Sequence, residues 1–224
     1  IPAIVVAGGP MFPGHWPRFG LDFSVSRMPE IAQRWGSGDF SEEQLEEMTR
    51  CIYPCAGACW GMGTANTMAC LAEAVGLSLP GDGTAHATTA KKERLAVEAG
   101  AQVMQLLRDE ITPKKILTAA AFENMLRVNM AIGGSLNTVL HLPAIAHEAG
   151  VHLDMDMFDS MSRETPHLCN IEPAGPYFLS HLEEAGGIPG VMKRLEGRLN
   201  LDVLTVTGCT VEDNLKQTEV FKDE

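Results

Sequence analysis

Apolar positions along this chain recur mostly at helical spacing, and Gly and Pro mark where one run stops and the next begins. Lys91 to Arg108 places Leu95, Ala99, Val103 and Leu106 on one face, which predicts a long amphipathic helix interrupted at Pro113. Thr118 to Ile132 predicts another. Gly133-Gly134 then breaks the pattern, and the next helix continues through His141, Pro143 and Ile145 to Gly150. Shorter helices are predicted at Pro29 to Trp35, Asp154 to Arg163, Pro176 to Ala185, Pro189 to Leu195 and Val211 to Leu215. Ser41-Glu-Glu-Gln44 is a capping-box start for one more, reaching about Arg50. Two stretches read as strands: the apolar run Pro2 to Ala7, which exits through Gly8-Gly9-Pro10, and the alternating Asp202 to Thr207. The predicted fold class is α/β: a helix-rich layered domain over residues 1–224 around a small, mostly parallel sheet. Opening inside an apolar strand without Met predicts a piece of a longer chain, whose missing sequence completes the sheet.

The stretch that organises the pattern is Cys55-Ala-Gly-Ala-Cys59-Trp-Gly-Met-Gly-Thr-Ala-Asn-Thr-Met-Ala-Cys70. Pro54, Gly57, Gly61 and Gly63 keep its first half out of regular helix. From Thr64, the residues Ala65, Met68, Ala69, Leu71, Ala72 and Val75 fit a buried helix that Gly76 stops. Cys59 is thereby set just before a helix N-terminus, where backbone N–H groups favour a thiolate or an anion.

Composition narrows the function classes. The chain has 224 residues and a net charge of −12, against sequence-independent nucleic-acid binding, which needs a basic face. No apolar run approaches a bilayer span, and no charged lead precedes an apolar signal core, so no membrane role is expected. The expected location is the cytoplasm or the soluble phase of an organelle, the cytoplasm preferred. Cysteines number 6, too few in a chain this long for a disulfide scaffold, and Cys51, Cys55 and Cys59 cluster. Two readings stand for these three: metal or redox chemistry, or small buried hydrophobes. Their four-residue spacing would align them on a helix, but Pro54 and Gly57 argue against that helix. The paired knuckles of structural zinc are missing.

Gly133-Gly134-Ser135-Leu136-Asn137-Thr138 has the make-up of an anion nest at a helix N-terminus, and equally of a helix break capped by Ser135. His141 lies one turn beyond Asn137 on the same face. His86, His147 and His152 are further candidate ligands or bases, with a satisfied structural histidine as the alternative for each. Asp154, Asp156 and Asp159 read as a solvated helix start, without the spacing of an EF-hand. Neither a dinucleotide fingerprint nor a P-loop is present.

Several long runs together resemble one family. Gly57-Ala-Cys59-Trp-Gly-Met-Gly-Thr-Ala-Asn66-Thr-Met is similar to the GxCxGMxTANTM segment of dihydroxy-acid dehydratases and related sugar-acid dehydratases. Ala119 to Leu142 resembles that family's AFENxxxVxMAxGGSTNTVLHL run. Met161-Ser-Arg163-Glu-Thr-Pro-His-Leu-Cys169 (with Met for the usual Leu), Glu184-Ala-Gly-Gly-Ile-Pro and Leu204-Thr-Val-Thr-Gly follow in family order. The likeness covers nearly the whole chain.

The resemblance implies part of the N-terminal α/β domain of an enzyme whose C-terminal β-rich domain is absent from this chain. Such hydro-lyases convert a small 2,3-dihydroxy carboxylic acid to a 2-keto acid. An iron–sulfur cluster (two-iron or four-iron) acts on the departing hydroxyl, magnesium holds the carboxylate end, and a serine serves as base. Carried over by position, Cys59 is the one cluster ligand here. Ser135, Asn137 and His141 are substrate-binding candidates, and no catalytic residue falls in this stretch. The family's other cluster cysteines and its magnesium ligands lie outside it, so the 224-residue chain alone is expected to be inactive, with cluster and magnesium incomplete or absent. The resemblance also implies a homo-oligomer at full length. Trp60, Leu136, Tyr53 and Cys55 depart from the family pattern: the large indole beside the ligand is expected to reshape the pocket, and Leu136 removes a hydroxyl from the nest. The preferred substrate reading is a branched-chain dihydroxy acid. A sugar acid stays open through Arg127-Val-Asn-Met. A non-catalytic assembly or anion-binding domain, and a zinc module on Cys51, Cys55 and Cys59, are the readings from other classes.

Overall fold

A computed structural model describes residues 1–18, 20–23 and 27–220. Eleven α-helices account for about half of it: α1 (Met28–Gly36), α2 (Glu42–Cys51), α3 (Thr64–Ala74), α4 (Ala90–Arg108), α5 (Pro113–Ile116), α6 (Ala119–Ala131), α7 (Thr138–Ala149), α8 (Met155–Glu164), α9 (Leu179–Glu184), α10 (Gly187–Arg194) and α11 (Val211–Lys216). Local chemistry starts them where the sequence suggests. Ser41 and Gln44 close a reciprocal capping box on α2, and Thr118 and Asp154 accept the N–H groups of Ala121 and Met157 at the heads of α6 and α8. Gly150 ends α7 in the left-handed conformation at φ 76°. Leu179–Glu184 is shorter than predicted, because Phe178 is still extended at the α9 N-cap.

The sheet differs from expectation. Among the described residues the named strands are β1 (Gly14–Trp16) and β2 (Leu21–Phe23), an antiparallel ribbon, and the mostly parallel sheet is not found. Pro2 to Ala7 is extended but unpaired as a strand; its Val5 N–H reaches the Leu77 carbonyl at 2.8 Å, and the Val5 and Val6 side chains are exposed. Asp202 to Thr207 makes only the isolated bridge Leu204–Thr210. A strand needs a neighbour to satisfy its backbone, and neither run has one here.

The principal core gathers where α3 and α6 cross and α8, α9 and α10 cover them, around Leu71, Phe122, Leu126, Leu142, Leu179 and Ile188. A second core joins the β1–β2 ribbon to α1 and α2 through Trp16, Ile31, Phe40, Met48 and Ile52. The Trp60 indole, 1% exposed, enters this second core. Among the described residues no helix is long and apolar enough to cross a membrane.

The helix behind the cysteine loop buries an unexpected face. Asn66, Thr67, Cys70, Leu71, Glu73 and Ala74 point inward on α3, whereas Ala65 is exposed. Ala65, Met68, Ala69 and Ala72 instead line an open cleft of about 580 Å³ shared with Val5, residues 7–9 and residues 56–58. α3 is apolar or small almost all round, so periodicity could not choose its inner face; the hydrogen-bonding needs of the loops at both its ends chose it.

Candidate functional site

Cys59 sits in a loop fixed from three sides. Ala58 donates to the Gly9 carbonyl at 2.9 Å and accepts from the Met11 N–H at 2.8 Å, clasping the loop to the extended N-terminal segment. Gly57, at φ 140°, has the Met11 backbone where a Cβ would go, so only glycine fits. On the other side Met62 donates to the Glu172 carbonyl at 2.6 Å, and Leu179 donates to the Trp60 carbonyl at 3.0 Å.

The thiol is half-buried at the head of α3, against Gly63, where an added Cβ would stand 3.1 Å from Sγ. Asn66, 1% exposed in the first turn of α3, turns its amide back on the loop. Its Nδ2 donates to the Gly61 carbonyl at 2.8 Å, to the Cys59 carbonyl, and toward Cys59 Sγ at 3.7 Å.

The two motifs that stand far apart in sequence meet here. Ser135 N donates to Thr67 Oγ1 at 3.0 Å, Ser135 Oγ lies 3.2 Å from Thr64 Oγ1, and Asn137 Nδ2 donates to Thr64 Oγ1 at 2.6 Å. Ser135 Oγ also accepts from Asn137 N at 3.3 Å, a local turn ahead of the helix; the α7 N-cap is Asn137, without a side-chain cap bond, so Ser135 is not the cap the sequence offered. Thr138 and Asn129 complete the support from beneath, with Asn129 Nδ2 donating to Thr138 Oγ1 at 3.2 Å. Of the predicted substrate-binding residues, Ser135 and Asn137 thus join the Cys59 loop through Thr64 and Thr67. His141 stays on the exposed face of α7, outside that network. Leu136 and Leu140 are also exposed, at 81% and 68%, so the rim beside the hydroxyls is apolar.

The other thiols do not converge. Cys51 ends α2, and Cys55 Sγ accepts the Phe12 N–H at 3.4 Å. Among the described residues no three His, Cys, Asp or Glu side chains come together as a metal-holding group, which leaves the zinc-module reading without a site. Cys70 is buried in the principal core and Cys169 packs half-buried against it; desolvation raises the Cys70 thiol well above its ordinary value and pushes Cys169 up to about 11. His147 and His152 are exposed. His86 is 3% exposed, stacked on Phe12 at 4.1 Å, and held toward its neutral form by burial.

Periodicity missed Thr64, Asn66, Thr67 and Glu73. The only signal available was polar residues inside an otherwise small, apolar helix. Glu73 is 6% exposed and accepts the N–H groups of Gly81 and Gly83 at 2.6 and 2.7 Å, tying the following turn to the end of α3. Burial dominates over those two donors and raises its carboxyl to about 7. Beside it Asp82 pairs with Lys92 at 2.8 Å, and Glu183 pairs with Lys91 and Thr84.

The donor chemistry separates the two implied metals. One thiol, an amide N–H aimed at its sulfur and a glycine at the place a Cβ would crowd that sulfur fit one corner of an iron–sulfur cluster. Magnesium needs open carboxylate oxygens. The buried carboxylates Glu73 and Asp82 and the half-buried Glu183 are committed to N–H groups, a hydroxyl or lysines, so these three do not fit that ion.

Comparison with known proteins places these features. Residues 1–214 match the family described as dihydroxy-acid/6-phosphogluconate dehydratase N-terminal. The chain is 48% identical over 99% of its length to a dihydroxy-acid dehydratase of Methanosarcina barkeri. It is also 48% identical over its whole length to one from Moorella thermoacetica, and 50% identical over 94% of it to one from Methanothrix thermoacetophila. It spans only 40%, 41% and 37% of those relatives' own lengths. With the Cys59 loop and the Gly133–Asn137 turn packed together as described, the chain belongs to the dihydroxy-acid/6-phosphogluconate dehydratase N-terminal family.

Proposed function

We propose that this chain is the part of a hydro-lyase that holds one corner of an iron–sulfur cluster and one wall of the substrate site. The enzyme would convert a 2,3-dihydroxy carboxylic acid to a 2-keto acid, with a branched-chain dihydroxy acid as the preferred substrate. The observation that carries this is the meeting of the Cys59 loop with Ser135 and Asn137 through Thr64. When bound, the cluster supplies a Lewis acid that eases departure of hydroxide. Cys59 would hold one of its irons. Thr64, Ser135 and Asn137 present two hydroxyls and an amide beside it, a set able to hold the oxygens of a hydroxy acid. Exposed Leu136 and Leu140 offer an apolar rim for an alkyl group. The base and the magnesium site belong to the remainder of the enzyme, as do its second domain and its homo-oligomeric contacts. Cytoplasmic placement is part of the same reading.

The relatives named dihydroxy-acid dehydratase support the branched-chain substrate. A sugar-acid substrate is the second reading. Arg127, whose local sequence kept it open, is engaged with Glu164 at 3.2 Å on α8 rather than with the Ser135 cluster. The test is anaerobic iron and sulfide analysis with a visible spectrum, on the full-length polypeptide beside the 224-residue chain, followed by dehydration of a branched-chain dihydroxy acid and of an aldonate. An iron-bearing, active full-length protein with a colourless, inactive 224-residue chain is expected. Full-length protein that stays iron-free after anaerobic reconstitution refutes the mechanism.

A further inference from the structure

The amide of Asn66 is placed unusually for a helix residue. It lies in the first turn of α3, buried, and faces backward onto the loop rather than into either core. Its two N–H bonds serve three acceptors: the carbonyls of Cys59 and Gly61, and Cys59 Sγ at 3.7 Å. The carbonyl contacts fix the backbone on both sides of Trp60, whose own side chain is locked in the second core. The sulfur thus has Asn66 as a donor, while the thiol itself donates to the Gly61 carbonyl at 3.7 Å. Donors to a ligating sulfur stabilise the added negative charge when a cluster is reduced, so they raise its potential.

We propose that Asn66 is the positioning residue for the Cys59 ligand, orienting the sulfur and raising the reduction potential of the cluster it holds. This rests on the cluster reading above. The experiment compares the reconstituted full-length polypeptide with its Asn66→Ala and Asn66→Asp variants, which remove the donor with and without a new charge. Asn124→Ala is the control. Asn124 is an equally buried amide that clamps a different loop, donating to the Asn200 carbonyl at 2.9 Å and accepting from Asn200 N at 2.7 Å, with no sulfur partner. Midpoint potential by redox titration, visible spectrum, iron content and thermal melting are measured for each.

The expected result is a more negative potential and an altered sulfur-to-iron absorption in both Asn66 variants. Asn124→Ala should lose stability at an unchanged potential. Should an Asn66 variant fail to fold, Asn66→Ser, whose hydroxyl is too short to reach Sγ, is measured in its place with the same expectation. Folded Asn66 variants with wild-type potential and spectrum overturn the inference while leaving the cluster reading intact. Wild-type protein that takes up no iron overturns the reading itself, and the inference with it.

Discussion

Glu73 makes the sharpest test of the energetics, because one substitution removes a pH dependence whose size and sign follow from the structure. Its carboxylate is buried at the C-terminal end of α3 and held by two backbone N–H groups of the Gly81–Gly83 turn. Those donors favour the charged form, but desolvation outweighs them, with Asp82 and Glu183 adding in the same direction, so the carboxyl moves from 4.5 to about 7 in the fold. A raised carboxyl means that the folded chain holds a proton the unfolded chain releases. Native stability from this group is therefore fully present below pH 4.5 and declines as pH rises toward 7. At about 1.4 kcal/mol per pH unit, the total decline is about 3 kcal/mol. Glu73→Gln cannot ionise, yet its amide oxygen still accepts one of the two N–H groups. It should cost about 1–3 kcal/mol at pH 5, where the acceptor lost is the main difference. By pH 8 the variant should have gained on the wild type by about 2–3 kcal/mol. Urea unfolding of both chains at half-unit steps from pH 5 to pH 8 reads this directly. Parallel curves for wild type and Glu73→Gln would refute the reasoning.

Other predictions concern packing and charge. Gly134→Ala would drive a methyl into the buried Asn129 amide and should destabilise by about 1–3 kcal/mol. Gly100→Ala, in open space on α4, should stabilise by about 0.5–1 kcal/mol, and denaturant midpoints for the pair check both signs. Lys92→Met leaves the Asp82 carboxylate, 2% exposed, with the Ala7 N–H still donating to it at 2.8 Å. It should cost about 3–5 kcal/mol, most of it recovered by adding Asp82→Asn, as a double-mutant cycle would show.

The family motifs were legible because they are local. Cys59, Ser135 and Asn137 could each be singled out from the glycines around them, and each stands at a loop or turn where glycine permits the backbone path. Their partnership could not be read, since Thr64 and Ser135 are joined only when α3 and α6 pack. The role of Asn66 is not legible in its motif, because its amide acts backward across the loop and no periodicity reports that. His141 shared a helical face with Asn137, but that face proved to be the exposed one.

What the sequence determined by itself was most of the helices, α5 apart, and the starts of those with a side-chain cap. Capping groups such as Ser41, Thr118 and Asp154 act within one turn, and heads of helices are decided by neighbours three residues away. Tertiary structure alone decided the pairing of extended segments, the inward face of α3, the direction of the Trp60 indole and the carboxyl of Glu73 near neutrality. Each depends on groups distant in sequence. Pro2 to Ala7 has strand-like residues but no neighbouring strand, and a helix of small residues can bury whichever face its surrounding loops require.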